Sequence, residues 1–166
     1  MDKYYYLIAS LPLLKFMEPP GIARQDFIAQ TEKWLCTEDF MVLNEADINN
    51  FLHHSKDTPL LSRWKDFEYS TRTELASYRR AKRQDTEYKI RKDLSNIIQE
   101  SSNPLEIETK LSRLKWDLLE EQEIGHFFDL DFLIIYYLKL QILERLTNFN
   151  KEKGKQNLEV YSWVEL

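Results

Sequence analysis

Four side chains able to bind metal or move protons fall within nine residues: Glu123, His126, Asp129 and Asp131. Together they could ligate a divalent cation or share a proton. Their spacing matches neither a zinc nor a calcium arrangement, since no second histidine follows at i+4 and no EF-hand glycine is present. Helix chemistry accounts for both aspartates. Asp129 stands at an N-cap position and Asp131 in the first turn, where the helix dipole favours negative charge. No metal site is expected here.

Other chemistry-bearing residues are sparser. His53 and His54 are adjacent, so on a helix their side chains diverge by about 100°; a solvated helix end is the expected setting. Cys36 has no base beside it in the sequence and reads as a small buried hydrophobe of a reducing compartment. There is no glycine-rich phosphate loop, no G-x-S-x-G and no nucleotide fingerprint. The residues therefore nominate no catalytic group and no cofactor, and an enzyme is not the reading they favour.

Charge is more informative. The net charge is −5, yet Arg72 to Lys92 holds eight basic residues against Glu74, Asp85 and Glu87, a local balance of +5 that leaves −10 for the remainder. Within it, Arg79-Arg80-Ala81-Lys82-Arg83 is the best candidate for a binding surface. The run reads as a solvated helix face, as a dock for an acidic protein, or last as a nucleic-acid or anionic-lipid contact. The i,i+4 pairs Glu68–Arg72 and Arg83–Glu87 would stabilise a bare helix by only ~0.2–0.5 kcal/mol each and leave most of the run unpaired. Interleaved aromatics or a globally basic domain, which nucleic-acid binding favours, are both missing.

The elements that must position these residues are helical. Three glycines and five prolines in 166 residues leave few tight turns, which argues against a many-stranded sandwich or barrel. At 43% hydrophobic residues with four tryptophans, core material is ample for one domain. The most apolar stretch is His126–Leu146. Seven consecutive uncharged residues, Phe132 to Leu138, are followed by Lys139, Gln141, Glu144 and Arg145 on an emerging polar face. That pattern predicts a central helix buried at its start and surfacing at its end.

Ahead of it, Tyr4–Ile8 is an aromatic plug of high β-propensity with no strong partner strand. Periodicity predicts a helix over about 22–36, and a second from a Thr37 N-cap carrying Phe40, Leu43, Asp47, Phe51 and Leu52 and fading by His53. Pro59 suits the first turn of a third. From there to Ile98 no glycine or proline intervenes, so one helix of about 40 residues and near 60 Å is expected, its middle projecting or bent. Asn103-Pro104 opens a fourth as N-cap and first residue, with Ile107, Leu111, Leu114 and Leu118 on one stripe. Gly125 ends or kinks it. Gly154 suits a helix C-terminus, and the tail at 155–166, with Tyr161 and Trp163, is expected to dock.

Three segments resemble a known family: Tyr4–Pro12; Trp64–Glu68 with Arg72, Leu75, Arg79 and Arg80; and Trp116-Asp117 and Leu119-Glu120 through Gly125–Asp131 to Tyr136, Lys139-Leu140-Gln141 and Glu144-Arg145. Together they are similar to a small bacterial family of unknown function encoded beside V-type ATPases, which itself resembles the central-stalk subunit called C in prokaryotes and d in eukaryotes. The resemblance spans about Tyr4–Phe149 and implies a helical adaptor that receives the central stalk and seats it on the membrane rotor ring, with no chemistry of its own. This chain has length for only one or two of that subunit's several helical units.

The expectation is thus an all-α domain over residues 1–154 of about five helices, one long and partly projecting. The resemblance further implies a cytoplasmic, membrane-peripheral, non-enzymatic subunit, and its partner surface is expected to include Arg72, Arg79, Arg80 and Arg83. Arg72 has a competing use, pairing with Glu68 inside the bundle. A free-standing adaptor for an unrelated acidic protein and, behind it, a nucleic-acid binder are the alternatives. The Met1–Pro12 segment is too short and proline-limited for a secretory signal.

Overall fold

A computed structural model describes residues 4–148, and among them every regular element is a helix. There are seven: α1 Tyr5–Ser10, α2 Arg24–Trp34, α3 Thr37–Glu45, α4 Pro59–Arg83, α5 Lys92–Glu100, α6 Pro104–Glu123 and α7 Leu130–Thr147. Gly154 and the tail at 155–166 lie outside the described residues.

Helix α7 is the axis, packed against α2, α3, α4 and α6. Asp129 caps it as the sequence predicts, its Oδ1 accepting from Phe132 N at 2.9 Å. Every residue from Leu133 to Leu143 is buried. Fully burying a large apolar side chain is worth about 1.5–3 kcal/mol, so this helix anchors the core. The polar face expected from Lys139 and Gln141 does not open there: they are only 7% and 2% exposed. Other elements supply their partners. Gln141 Nε2 donates to Ala46 O at 2.7 Å and its Oε1 accepts from Ile48 N at 3.1 Å. Lys139 binds Glu123 and lies over the Trp116 ring.

The aromatic plug is helical. Leu7 and Ile8 of α1 are buried, and Tyr4 just before it donates from its hydroxyl to the Asp39 carboxylate. A lone strand would leave backbone groups unpaired, whereas a helix satisfies them internally. Helix α3 ends at Glu45, earlier than expected. Asp47 and Phe51 instead lie in the connection to α4, held by the Gln141 amide and, at Ile48 O, by Arg72.

The single helix of about 40 residues is two. Asp85 adopts the left-handed conformation (φ 52°), and Thr86 N donates to Ala81 O at 3.0 Å. This is a Schellman-type stop with aspartate where glycine is usual. Aspartate tolerates that conformation better than most residues, so the helix ends without glycine or proline. Helix α4 is then 25 residues, about 37 Å long. The chain returns beside it, Arg91 N donating to Glu74 Oε2 at 3.0 Å while the Arg91 guanidinium carbon lies 5.6 Å from the centre of the Phe67 ring.

Helix α6 starts as predicted: Asn103 Oδ1 accepts from Glu106 N at 2.9 Å and Pro104 opens the first turn. Its buried face is Leu111, Ser112, Trp116 and Leu119, rotated from the expected stripe, because the bulk of Trp116 is turned inward. Gly125, with φ 96°, makes the turn into α7, a conformation that glycine adopts at no steric cost.

Candidate functional site

The nominated arginines sit on the second half of α4. Its first half buries Leu60, Leu61, Trp64, Lys65, Glu68 and Thr71; beyond Thr71 only Ala81 is buried. Its second half is thus half-buried or exposed apart from Ala81, whose carbonyl accepts from Gln84 N and Thr86 N just beyond the helix end. Arg80, Lys82 and Arg83 fall in the last turn, where cations are favoured by the dipole.

Arg72 differs from the rest of the set. Its Nε donates to Glu68 Oε2 at 3.0 Å, its Nη2 to Ile48 O at 2.9 Å, and its guanidinium carbon lies 4.9 Å from the Phe51 ring centre. It braces the α3–α4 connection against α4. Glu68, with a side chain only 1% exposed, is also held by Lys115, whose Nζ is 2.7 Å from Oε1. The expected Glu68–Arg72 pair thus forms. Arg83 and Glu87 make no pair, because the chain leaves the helix between them.

Arg79, Arg80, Lys82 and Arg83 are all exposed, and no ion pair engages them among the described residues. At 100° per residue they cover about 160° of the helix circumference, on the side away from Ala81. Lys89 and Lys92 are exposed nearby, while Asp85 and Glu87 interrupt the positive field. Such a face can hold several carboxylates through charge-assisted hydrogen bonds. Nothing in it resembles a nucleophile–base pair.

The sequence cluster around His126 is divided. His126 Nδ1 lies 2.6 Å from Asp129 Oδ2 and 3.9 Å from Asp131 Oδ2, while Glu123 pairs with Lys139. No group of three or more His, Cys, Asp or Glu among the described residues is arranged to hold a metal ion. His53 and His54 lie in the α3–α4 connection, not on a helix end, and reach Asp66 Oδ1 at 2.9 Å and Glu45 Oε2 at 3.2 Å. Cys36 is exposed at the start of α3 rather than buried, because the sharp α2–α3 junction turns Leu35 inward instead.

Sequence reasoning missed one buried pair. Lys65 Nζ contacts both carboxylate oxygens of Asp57 at 2.9 Å. Its signal was present: Lys65 stands on the same stripe as Leu61 and Trp64, where a charge needs a partner.

A family described as a protein of unknown function (DUF2764) matches residues 89–160, which takes in α5, α6 and α7 and begins after the Arg79–Arg83 run. No curated protein and no solved structure matches the chain. No helix among the described residues is long and apolar enough to cross a membrane.

Proposed function

We propose that this chain is a non-enzymatic helical adaptor of a V-type ATPase or synthase, linking the central stalk to the membrane rotor ring from the cytoplasmic side. The observation that carries the reading is the exposed set Arg79, Arg80 and Arg83, cations without an internal partner at the end of a helix that leaves the core. Surface charge spent on fold stability would be expected in i,i+4 pairs such as Arg113–Asp117; these side chains instead remain available to an acidic partner. Further support comes from the resemblance in the third segment, Trp116 to Arg145, which falls inside the matched residues 89–160. A stiff body suits torque transfer, and this one is built on long helices with three glycines in the whole chain.

Arg72 belongs to this proposal only indirectly, as the brace that orients α4. The test is affinity purification of the tagged protein from its own cells. Recovery of central-stalk and rotor-ring subunits, lost when Arg79, Arg80 and Arg83 are changed to glutamate, is the expected result. Recovery of neither subunit rejects the reading and turns attention to an unrelated acidic partner.

A further inference from the structure

One face of α4 is bare from Tyr69 to Arg83. At 100° per residue Tyr69, Thr73, Ala76, Arg80 and Arg83 fall within about 80° of the helix circumference, opposite the side on which Leu60, Trp64, Thr71 and Ala81 are buried. All five are exposed, Tyr69 by 58%. One turn earlier the same face is closed, because Lys65 is buried there on Asp57 of the α3–α4 connection. The face thus emerges where the connection ends and runs about 21 Å along the helix.

Its two ends differ in chemistry. At the start the Phe51 ring stands 6.1 Å from the Tyr69 ring, and Leu52, next in the chain, is 68% exposed. Together they form an apolar step. At the far end Arg80 and Arg83 are cations that no ion pair engages among the described residues. A partner complementary to both carries apolar side chains at one end and carboxylates three to four helical turns away. The backbone decides its form. A helix face offers no backbone donors or acceptors, so an extended segment laid on it would have its N–H and C=O groups desolvated without replacement. A partner helix bonds its own backbone and presents side chains every three or four residues. A nucleic acid would place phosphates against the apolar step, and would meet Asp85 and Glu87 beside the cations.

We propose that this face seats an amphipathic α-helix of the partner protein, its leucine-like side chains against Leu52 and Tyr69 and its carboxylates on Arg80 and Arg83. The inference rests on the adaptor reading only in taking the end of α4 as a partner surface; it adds which face is used and what covers it.

The test is an NMR titration of the isotope-labelled full chain with an alanine-rich peptide of about 16 residues, ~24 Å as a helix, carrying glutamates in its first two turns and leucines in its last two. Backbone signals of Tyr69, Thr73, Ala76, Arg80 and Arg83 should shift together, with Lys82 and Lys89 little changed. The same peptide interrupted by two central prolines, which cannot hold the helix, should bind about fivefold more weakly. Glutamine in place of its glutamates should have a similar effect, the combined loss of two exposed ion pairs. On the protein, Thr73→Gln with Ala76→Gln changes no charge at two exposed positions, and should weaken binding about fivefold by holding the helices apart. Tyr69→Ser should do so by removing the apolar step. Equal binding of the proline peptide, shifts as large at Lys82 and Lys89, undiminished binding by both variants, or tighter binding of a short single-stranded DNA overturns the proposal. Affinity purification with the double glutamine variant keeps the two readings apart. Stalk and rotor subunits recovered as with the parent would leave the adaptor standing and reject this face as its seat. Peptide binding along the stripe with neither subunit recovered from the parent would support the face and reject the adaptor.

Discussion

Lys65 and Asp57 form a closed ion pair, Nζ to Oδ1 at 2.9 Å, with side chains 0% and 3% exposed. Asp57 lies in the α3–α4 connection and Lys65 in the second turn of α4, so the pair ties an irregular segment to the helix that carries the cationic face. Desolvating two charges is costly, and such a pair contributes more to specifying one arrangement than to net stability.

Breaking the pair from one side should therefore be severe. Asp57→Ala leaves a buried ammonium without its carboxylate and is expected to lower unfolding stability by about 3–5 kcal/mol. The double change Asp57→Leu with Lys65→Met should recover most of that loss. Urea denaturation of both variants decides it; a single variant as stable as the parent would sink the account.

Arg72 and the exposed arginines should separate cleanly. Arg72→Ala removes charge-assisted bonds to Glu68 and Ile48 and is expected to cost about 2 kcal/mol. Arg79→Glu, Arg80→Glu and Arg83→Glu should each change stability by no more than ~0.5 kcal/mol. Equal losses across the set would mean that the cationic face is structural, removing the observation on which the adaptor rests.

The stop at Asp85 predicts a residue-specific response. Asp85→Val places a β-branched side chain in the left-handed region and should cost about 1–2 kcal/mol. Asp85→Gly should be neutral or stabilising by up to ~1 kcal/mol. Circular dichroism and thermal melts of the two variants report this, and a valine variant as stable as the parent would contradict the helix break.

Burial pushes the Tyr136 phenol up to about 12, and its hydroxyl donates to Pro12 O at 2.8 Å. The folded state thus holds the phenolic proton more tightly than the unfolded chain, whose tyrosines titrate near 10. This contribution is fully present below pH ~10 and is lost as pH rises from ~10 towards 12. Tyr136→Phe should remove that part of the alkaline decline and cost ~1 kcal/mol at neutral pH through the lost hydrogen bond. Stability of parent and variant measured near pH 8 and near pH 11 checks it; parallel losses in both would exclude the assignment.

Much of the helix plan was legible because it is written in neighbouring residues. Asn103 accepting from Glu106 N and Asp129 accepting from Phe132 N are three-residue relationships, visible to anyone reading caps and prolines. The apolar run of α7 likewise announced a buried helix. The stop at Asp85 was missed because neither glycine nor proline marks it, and because aspartate takes the left-handed conformation there in place of glycine.

For the candidate site, the sequence by itself determined which residues are cationic and that they share a helix. Only the tertiary structure decided which of them are already engaged. Arg72 is taken because Ile48 O, 24 positions away, folds against it, and Gln141 is buried because Ala46 O and Ile48 N, 95 and 93 positions away, need its amide. Caps and periodicity follow from the geometry of a single helix, whereas the partners of a charged side chain depend on which helices meet.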